Sequence, residues 1–489
     1  MSERFDVVVV GSGAGGGVVA GELARKGRSV LLLEVGPHRT AADFTRWEAH
    51  AMHDIWWPIR MAMPSSDPST GIVALVAGRC VGGSTTINTK VALRATQHEY
   101  DKWREASAPV NDRGEPLGPG DLDPYYERVA EVLGMRERTD WLENTRMVSR
   151  GFDAVGAHLE PVISYTDENC MKCGSCLQGC PTNAGKSTQN TYISVPWARG
   201  QLELRAECHV DRVLVEQGAG GLEARGVEYT DADGARHTVD AGAVVVAGGA
   251  LNTPQILLRS GVPNPLIGRH LGLHPAMFVF GRFDEPQDAH RVYPITAHCM
   301  DFQRDEDGGF VVEAITVQDP IGFTVALCDE NGPMWGRPLV DAARDYRHWI
   351  GLLLMVNDDN NASVTLDDEG REQFWTDFQP VEIERREKGA RFCRDVLEAA
   401  GATRILWSSP ATTHMQGGCR MGSDPATSVV DSHGESHEVR RLFAGDSSVI
   451  PRTLSANPSY TIMALATRLA EHLDADPHGY LQDQRAVVA

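Results

Sequence analysis

A turn of glycines close to the first methionine constrains this chain more than any other feature. Asp6-Val-Val-Val-Val10 has the pattern of a strand buried on both faces, and Gly11-Ser-Gly13-Ala-Gly15-Gly16 follows it without a spacer. Val18 to Lys26 then has helical periodicity. A strand, a G-x-G-x-x-G turn and a helix together form the phosphate-binding corner of a dinucleotide fold. Gly11 permits the tight turn, Gly13 lets the backbone approach a pyrophosphate, and Gly16 lets helix and strand pack closely. The helix start offers free N–H groups and a positive dipole end to the phosphates. The next strand, Ser29 to Leu33, ends at Glu34, which is placed to accept from ribose hydroxyls and would repel a 2′-phosphate. Spacing alone leaves FAD and NAD both open, and a glycine turn without a ligand is the remaining alternative.

At 489 residues the chain is too long for one simple core, so two lobes are expected. No apolar run approaches the roughly 18 residues of a membrane span, and no basic segment followed by an apolar one opens the chain. A cytoplasmic protein without membrane insertion is therefore expected. Lys plus Arg number 46 against 67 Asp plus Glu, a net charge of −21. That balance repels nucleic acid and anionic membrane and weakly favours cationic ligands, although solubility alone also explains it.

Four later stretches bear on chemistry. The first is Gly78-Arg-Cys-Val-Gly-Gly83-Ser84-Thr-Thr-Ile87-Asn88, and the second is Ala243-Val-Val-Val-Ala247 running into Thr253-Pro254. The third is His414-Met-Gln-Gly417-Gly418-Cys419-Arg420-Met-Gly422. The fourth joins the strand Leu442-Phe-Ala-Gly445-Asp446 to Ser455-Ala-Asn457-Pro458-Ser-Tyr-Thr461, which opens a helix. In this order they resemble the glucose–methanol–choline (GMC) oxidoreductases. The resemblance implies an α/β protein with a Rossmann-like FAD-binding lobe and a second, sheet-based substrate lobe.

It further implies oxidation of an alcohol to an aldehyde or ketone, with hydride passing to the flavin. His414 matches the family histidine and would be the general base, a role that suits an imidazole with an ordinary pKa of about 6.5. Asn457 would orient the alcohol oxygen. Gly83, Ser84 and Asn88 would lie along the flavin, Val210 near the adenine, and Asp446 and Pro458 at the second FAD contact. Some members join a histidine to FAD at the position of Ile87, so non-covalent FAD is expected here. The electron acceptor stays open among oxygen, a quinone and an electron-transfer protein. A non-redox lyase of the same fold is the rival reading, since Asn457-Pro458 would serve equally as a helix cap. His274, in Gly272-Leu-His274-Pro275, resembles a family segment and is expected to be structural.

The implied organisation is FAD-binding at 1–95, a cap or linker at 96–200, FAD-binding at 201–275, a substrate lobe at 276–429 and FAD-binding at 430–489. Residues 107–124, rich in Pro, Gly and Asp, are expected to form a surface loop before a helix from Tyr125 to Met135. Leu202 to Glu216 and Leu222 to Tyr229 are expected to be strands.

Cys170-Met-Lys-Cys173-Gly-Ser-Cys176-Leu-Gln-Gly-Cys180-Pro181 is C-x2-C-x2-C-x3-C-P, the bacterial ferredoxin spacing. An iron–sulfur cluster, unmetallated thiols and zinc are all compatible with it, in that order of preference. In ferredoxins the fourth cysteine of such a run serves a second cluster, and no second run exists here.

The acidic runs at Asp305-Glu-Asp307, Asp358-Asp359 and Asp367-Asp-Glu369 are expected to be solvated. Glu313, in the apolar strand Phe310 to Ile315, is the better candidate to face a substrate. A carboxylate there would favour a cationic or heavily hydroxylated alcohol and would be costly opposite a sterol or long chain. The resemblance extends to enzymes that oxidise primary hydroxyls of aminoglycosides, so an amino sugar or related polyol, in antibiotic biosynthesis, is preferred to a sterol or long-chain alcohol.

Overall fold

The fold is that of a computed structural model, described over residues 3–65, 71–316, 320–325 and 327–481. One sheet of eight strands runs His209–Gly218, Gly221–Thr230, Arg236–Val246, Arg4–Val10, Val30–Leu33, Glu203–Arg205, with Val439–Arg440 and Leu442–Ala444 added alongside. Arg4–Val10 pairs in parallel with both Val30–Leu33 and Arg236–Val246, and Leu442–Ala444 pairs in parallel with Arg236–Val246. The register sets Val10 beside Leu33 and Val246, and Val246 beside Ala444. Four strands thus end at one edge, where Gly11, Glu34, Ala247 and Gly445 follow them. In open parallel sheets that edge is where ligands bind.

Helices Gly16–Arg25 and Ser459–Ala475 cover this sheet. The expected strand over 202–216 is two strands. Glu203–Arg205 joins Val30–Leu33, and after a break His209–Gly218 forms a hairpin with Gly221–Thr230. Cys208 N–H donates to the Glu34 carbonyl at 2.8 Å, and this is where the chain turns from one pairing to the other. The expected loop over 107–124 is helical from Pro119, because Gly118, Pro119 and Asp121 form a capped start for the helix Pro119–Leu133. Its Leu122, Tyr126, Val129 and Leu133 pack into the same core as the first sheet.

A second sheet of thirteen strands contains Ala276–Arg282, Trp349–Val356 and Phe310–Thr316 at its centre. Helix Pro380–Ala399 covers one face, where Val312, Ala314, Leu352 and Leu354 are buried. Strand alternation sends Glu313 and its register partner Leu353 to the opposite face. No helix among the described residues is long and apolar enough to cross a membrane.

Candidate active site

The glycine turn is built as its spacing requires. Gly11 has φ +94°, and a Cβ there would lie 2.3 Å from the Ala247 carbonyl oxygen. Gly15 is pressed against the Gly445–Asp446 backbone, so the two glycine turns touch. Gly13 differs: a Cβ there would meet nothing within 4 Å. The turn is therefore packed against protein on one side and open at the position assigned to pyrophosphate. Glu34 bends back over it, its Oε2 accepting from Ser12 N–H at 3.0 Å and Ser12 Oγ at 2.6 Å, and its Oε1 from Gly36 N–H at 2.8 Å. Burial pushes its pKa up and outweighs these donors, which oppose the rise. Val210 lies two residues beyond the Cys208 contact with Glu34 and is buried.

Residues 78–88 fold onto the turn, with Gly83 against Gly13. Ser84 is exposed and its Oγ accepts from Gly78 N–H at 3.0 Å, while Asn88 donates to the Tyr165 hydroxyl. Ile87 is buried with Ala51, Ile55 and Cys80, and a hydrocarbon side chain has no atom to bond a flavin. Asp446 is fully engaged. It accepts from Gly249 N–H at 2.7 Å, Thr253 Oγ1 at 2.5 Å and Ser448 N–H at 2.6 Å. Its first task is to clamp the start of helix Gly249–Arg259 to the second glycine turn.

The His414 segment is zipped to its neighbours on both sides. Gly417, Cys419 and Met421 donate their N–H groups to the carbonyls of Ser447, Ser448 and Val449 at 2.9, 3.0 and 2.7 Å. On the other side Gly272 and Gln416 exchange backbone hydrogen bonds at 2.7 and 2.9 Å. Carried two residues back, that antiparallel register sets His274 opposite His414. Their Nδ1 atoms are 3.2 Å apart and their rings are stacked at 5.3 Å and 25°. His414 is half-buried, and burial alone lowers its pKa to about 4, so its imidazole is neutral. The paired glycines of this motif let the chain pass close to protein: a Cβ on Gly417 would strike the His270 carbonyl, and one on Gly418 would strike Pro254.

Gln416 connects the histidine to the asparagine. Its amide donates to the His414 carbonyl at 3.2 Å, and its oxygen accepts from Leu454 N–H at 3.1 Å, three residues before Asn457. The helix that follows begins at Ser459 with Pro458 before it and no side-chain cap bond. The capping alternative for Asn457 is thereby set aside: its Oδ1 is buried without a hydrogen-bond partner among the described residues.

Across from it stands Glu313, 1% exposed, with neither carboxyl oxygen in a well-formed hydrogen bond among the described residues. Burial raises its pKa to about 8, and the nearby Asn457 amide opposes that rise. Glu313 and Asn457 thus approach each other from opposite lobes.

Sequence reasoning missed three residues here. Asp358, expected in a solvated run, is buried and accepts from the N–H groups of Leu273 at 2.5 Å and His274 at 3.3 Å. Asn360 accepts from Thr453 N–H at 2.9 Å and donates to the His270 carbonyl at 3.2 Å. Gln416 is the third. Only the burial of a polar loop signals them, and composition does not reveal it.

Among the described residues, no three or more His, Cys, Asp or Glu side chains are grouped so that they could hold a metal ion. The ferredoxin spacing of Cys170, Cys173, Cys176 and Cys180 is therefore not matched by a ligand cage. Cys180 Sγ instead accepts from Gly185 N–H at 3.2 Å and lies 3.5 Å from Thr182 Oγ1. Lys90, which is buried with its ammonium on the Thr85 carbonyl, adds positive charge beside Cys176 and Cys180.

The family model for GMC oxidoreductase matches residues 5–276, and its C-terminal counterpart matches 359–466. The chain belongs to the GMC oxidoreductases. An uncharacterised GMC-type oxidoreductase of Sinorhizobium fredii is 28% identical over 95% of this chain and 94% of its own. A long-chain-alcohol oxidase of Arabidopsis thaliana is 27% identical over 95% of this chain and 66% of its own. The 6'''-hydroxyparomomycin C oxidase of Streptomyces lividus is 25% identical, covering 96% of this chain and 92% of its own. Among solved structures, pyridoxine 4-oxidase from Mesorbium loti superposes with a TM-score of 0.76 at 19% identity, covering 97% of this chain and 100% of that one. This GMC oxidoreductase is an FAD enzyme that acts on CH–OH groups. The open face at Gly13 and the exposed Ser84 fit that cofactor.

Proposed function

We propose that this GMC oxidoreductase oxidises the primary alcohol of an amino sugar, an aminoglycoside or a related polyol to the aldehyde. FAD, held without a covalent bond, supplies the acceptor for the carbon-bound hydrogen. Gly11, Gly13, Gly16 and Glu34 would hold its pyrophosphate and ribose, Val210 its adenine side, and Gly83, Ser84, Asn88, Asp446 and Pro458 the flavin side. The five-part division of the chain given above follows from this reading. His414 takes the hydroxyl proton on Nε2, for which a neutral imidazole is required. Asn457 donates its amide N–H to the substrate oxygen and so aims the carbon.

The observation on which the substrate class rests is Glu313, a buried carboxyl that faces Asn457 and has no well-formed partner among the described residues. In the interior it holds its proton. An ammonium placed beside it would favour the carboxylate and form a charge-assisted hydrogen bond. A hydrocarbon chain would offer it nothing, and its burial there would remain a cost. The similarity to a long-chain-alcohol oxidase is therefore weighed below that to the paromomycin-type oxidase.

The test is flavin reduction without air by an aminoglycoside, a neutral sugar and a fatty alcohol. The aminoglycoside should bleach the flavin fastest, and high salt should slow it. A preference for the fatty alcohol would overturn the substrate assignment, and a flavin left oxidised by all three would favour the lyase reading. Oxygen consumption, followed against quinone and protein acceptors, identifies the second substrate.

A further inference from the structure

We propose that His274 is a positioning residue that fixes the tautomer of His414, accepting the His414 Nδ1–H so that the Nε2 lone pair is left for the substrate hydroxyl. This rests on the reading of His414 as the base.

Two nitrogens 3.2 Å apart can share only one proton. If His274 Nδ1 carries it, His414 must hold its own proton on Nε2 and cannot accept another there. If His414 Nδ1 carries it, Nε2 is bare, and His274 accepts with its remaining proton on Nε2. That last atom is buried without a partner among the described residues, a cost this tautomer carries. The surrounding protein holds His274 in place nonetheless. Its backbone sits at φ +46°, a left-handed conformation uncommon for residues other than glycine, though histidine adopts it more often than most. The Asp358 carboxyl holds the N–H groups of residues 273 and 274, and the Thr412 hydroxyl donates to the Leu273 carbonyl while accepting from His414 N–H at 3.1 Å. One threonine therefore fastens both histidine-bearing segments.

When the substrate O–H bond breaks, its proton joins His414 Nε2 and the ring becomes an imidazolium. The Nδ1–H already points at a neutral acceptor, so the new charge is met without rearrangement. The groups facing this pair are Lys102, whose charge disfavours a second positive ring at His274, and Asp358 on the adjoining loop. Burial keeps His274 neutral, as the acceptor role requires.

The test uses His274→Phe, which keeps a ring and removes the acceptor, and His274→Asn, which is smaller should the first fail to fold. Side-chain ¹⁵N spectra of histidine-labelled holoenzyme should show His414 protonated on Nδ1 in the wild type and shifted toward the Nε2–H form in either folded variant. Flavin reduction should fall about 10-fold or more in those variants, with FAD content retained and the acid limb of the pH profile displaced. A bare His414 Nδ1 in the wild type, or an unmoved tautomer and pH limb in a folded variant, would overturn the assignment. The spectra do not depend on turnover, so failure of His414 as base appears separately, as unchanged flavin reduction in His414→Ala.

Discussion

His274 and His414 stand Nδ1 to Nδ1 at 3.2 Å, although 140 residues separate them in the chain. The contact follows from a short antiparallel register between Gly272 and Gln416, and it places a buried neutral acceptor behind the proposed base.

The pH dependence of flavin reduction should carry the mark of that burial. With the His414 pKa lowered to about 4, the ring is already an acceptor across the neutral range. The rate with saturating alcohol is expected to be flat from neutrality down to about pH 5 and to fall below that, instead of breaking near the ordinary value of about 6.5. Stopped-flow reduction without air across that range checks this.

Asn457→Ala should slow flavin reduction by roughly 10-fold, the loss of about 1–2 kcal/mol for one hydrogen bond to the reacting oxygen. The melting temperature should change little, because the Asn457 Oδ1 makes no cap bond among the described residues. A marked fall in stability with unchanged reduction would return Asn457 to the role of helix cap.

Glu313→Gln should remove a stability trend. The folded pKa of about 8 lies above the ordinary 4.5, so the carboxyl contributes stability that is full below the lower value and lost as pH rises toward the upper one. Replacement by Gln should flatten the decline of melting temperature between those values, with His298, its cross-strand neighbour, left in place. The same variant should raise KM for an aminoglycoside more than for a neutral sugar. Parallel melting curves for the two proteins would contradict the burial on which the substrate reading depends.

The parts of the fold legible from sequence are those set by local backbone rules. Gly11 must adopt a positive φ, Val7 to Val10 must be buried on both faces, and Glu34 must follow a second strand, so the cofactor edge is readable over a short window. The start of the helix at Pro119 is equally local, but its Gly-Pro-x-Asp signal lies within a stretch of loop-like composition that masks it. The support of the site depended on long-range register and was not legible. His274 gains a role only because Gly272 pairs with Gln416, and Asp358 differs from the solvated acids around it only because its loop closes over Leu273 and His274. The cysteine run shows the opposite limit: its spacing matches ferredoxins, yet spacing alone does not say whether the four thiols converge, and no metal-holding group forms among the described residues.

The most direct test of the account is single-turnover flavin reduction in His414→Ala with FAD content measured on the same sample. The expected result is full FAD occupancy and a reduction rate lower by about 10²-fold or more, flat across pH. Full occupancy with wild-type reduction throughout the pH range would contradict the assignment of His414 as the base.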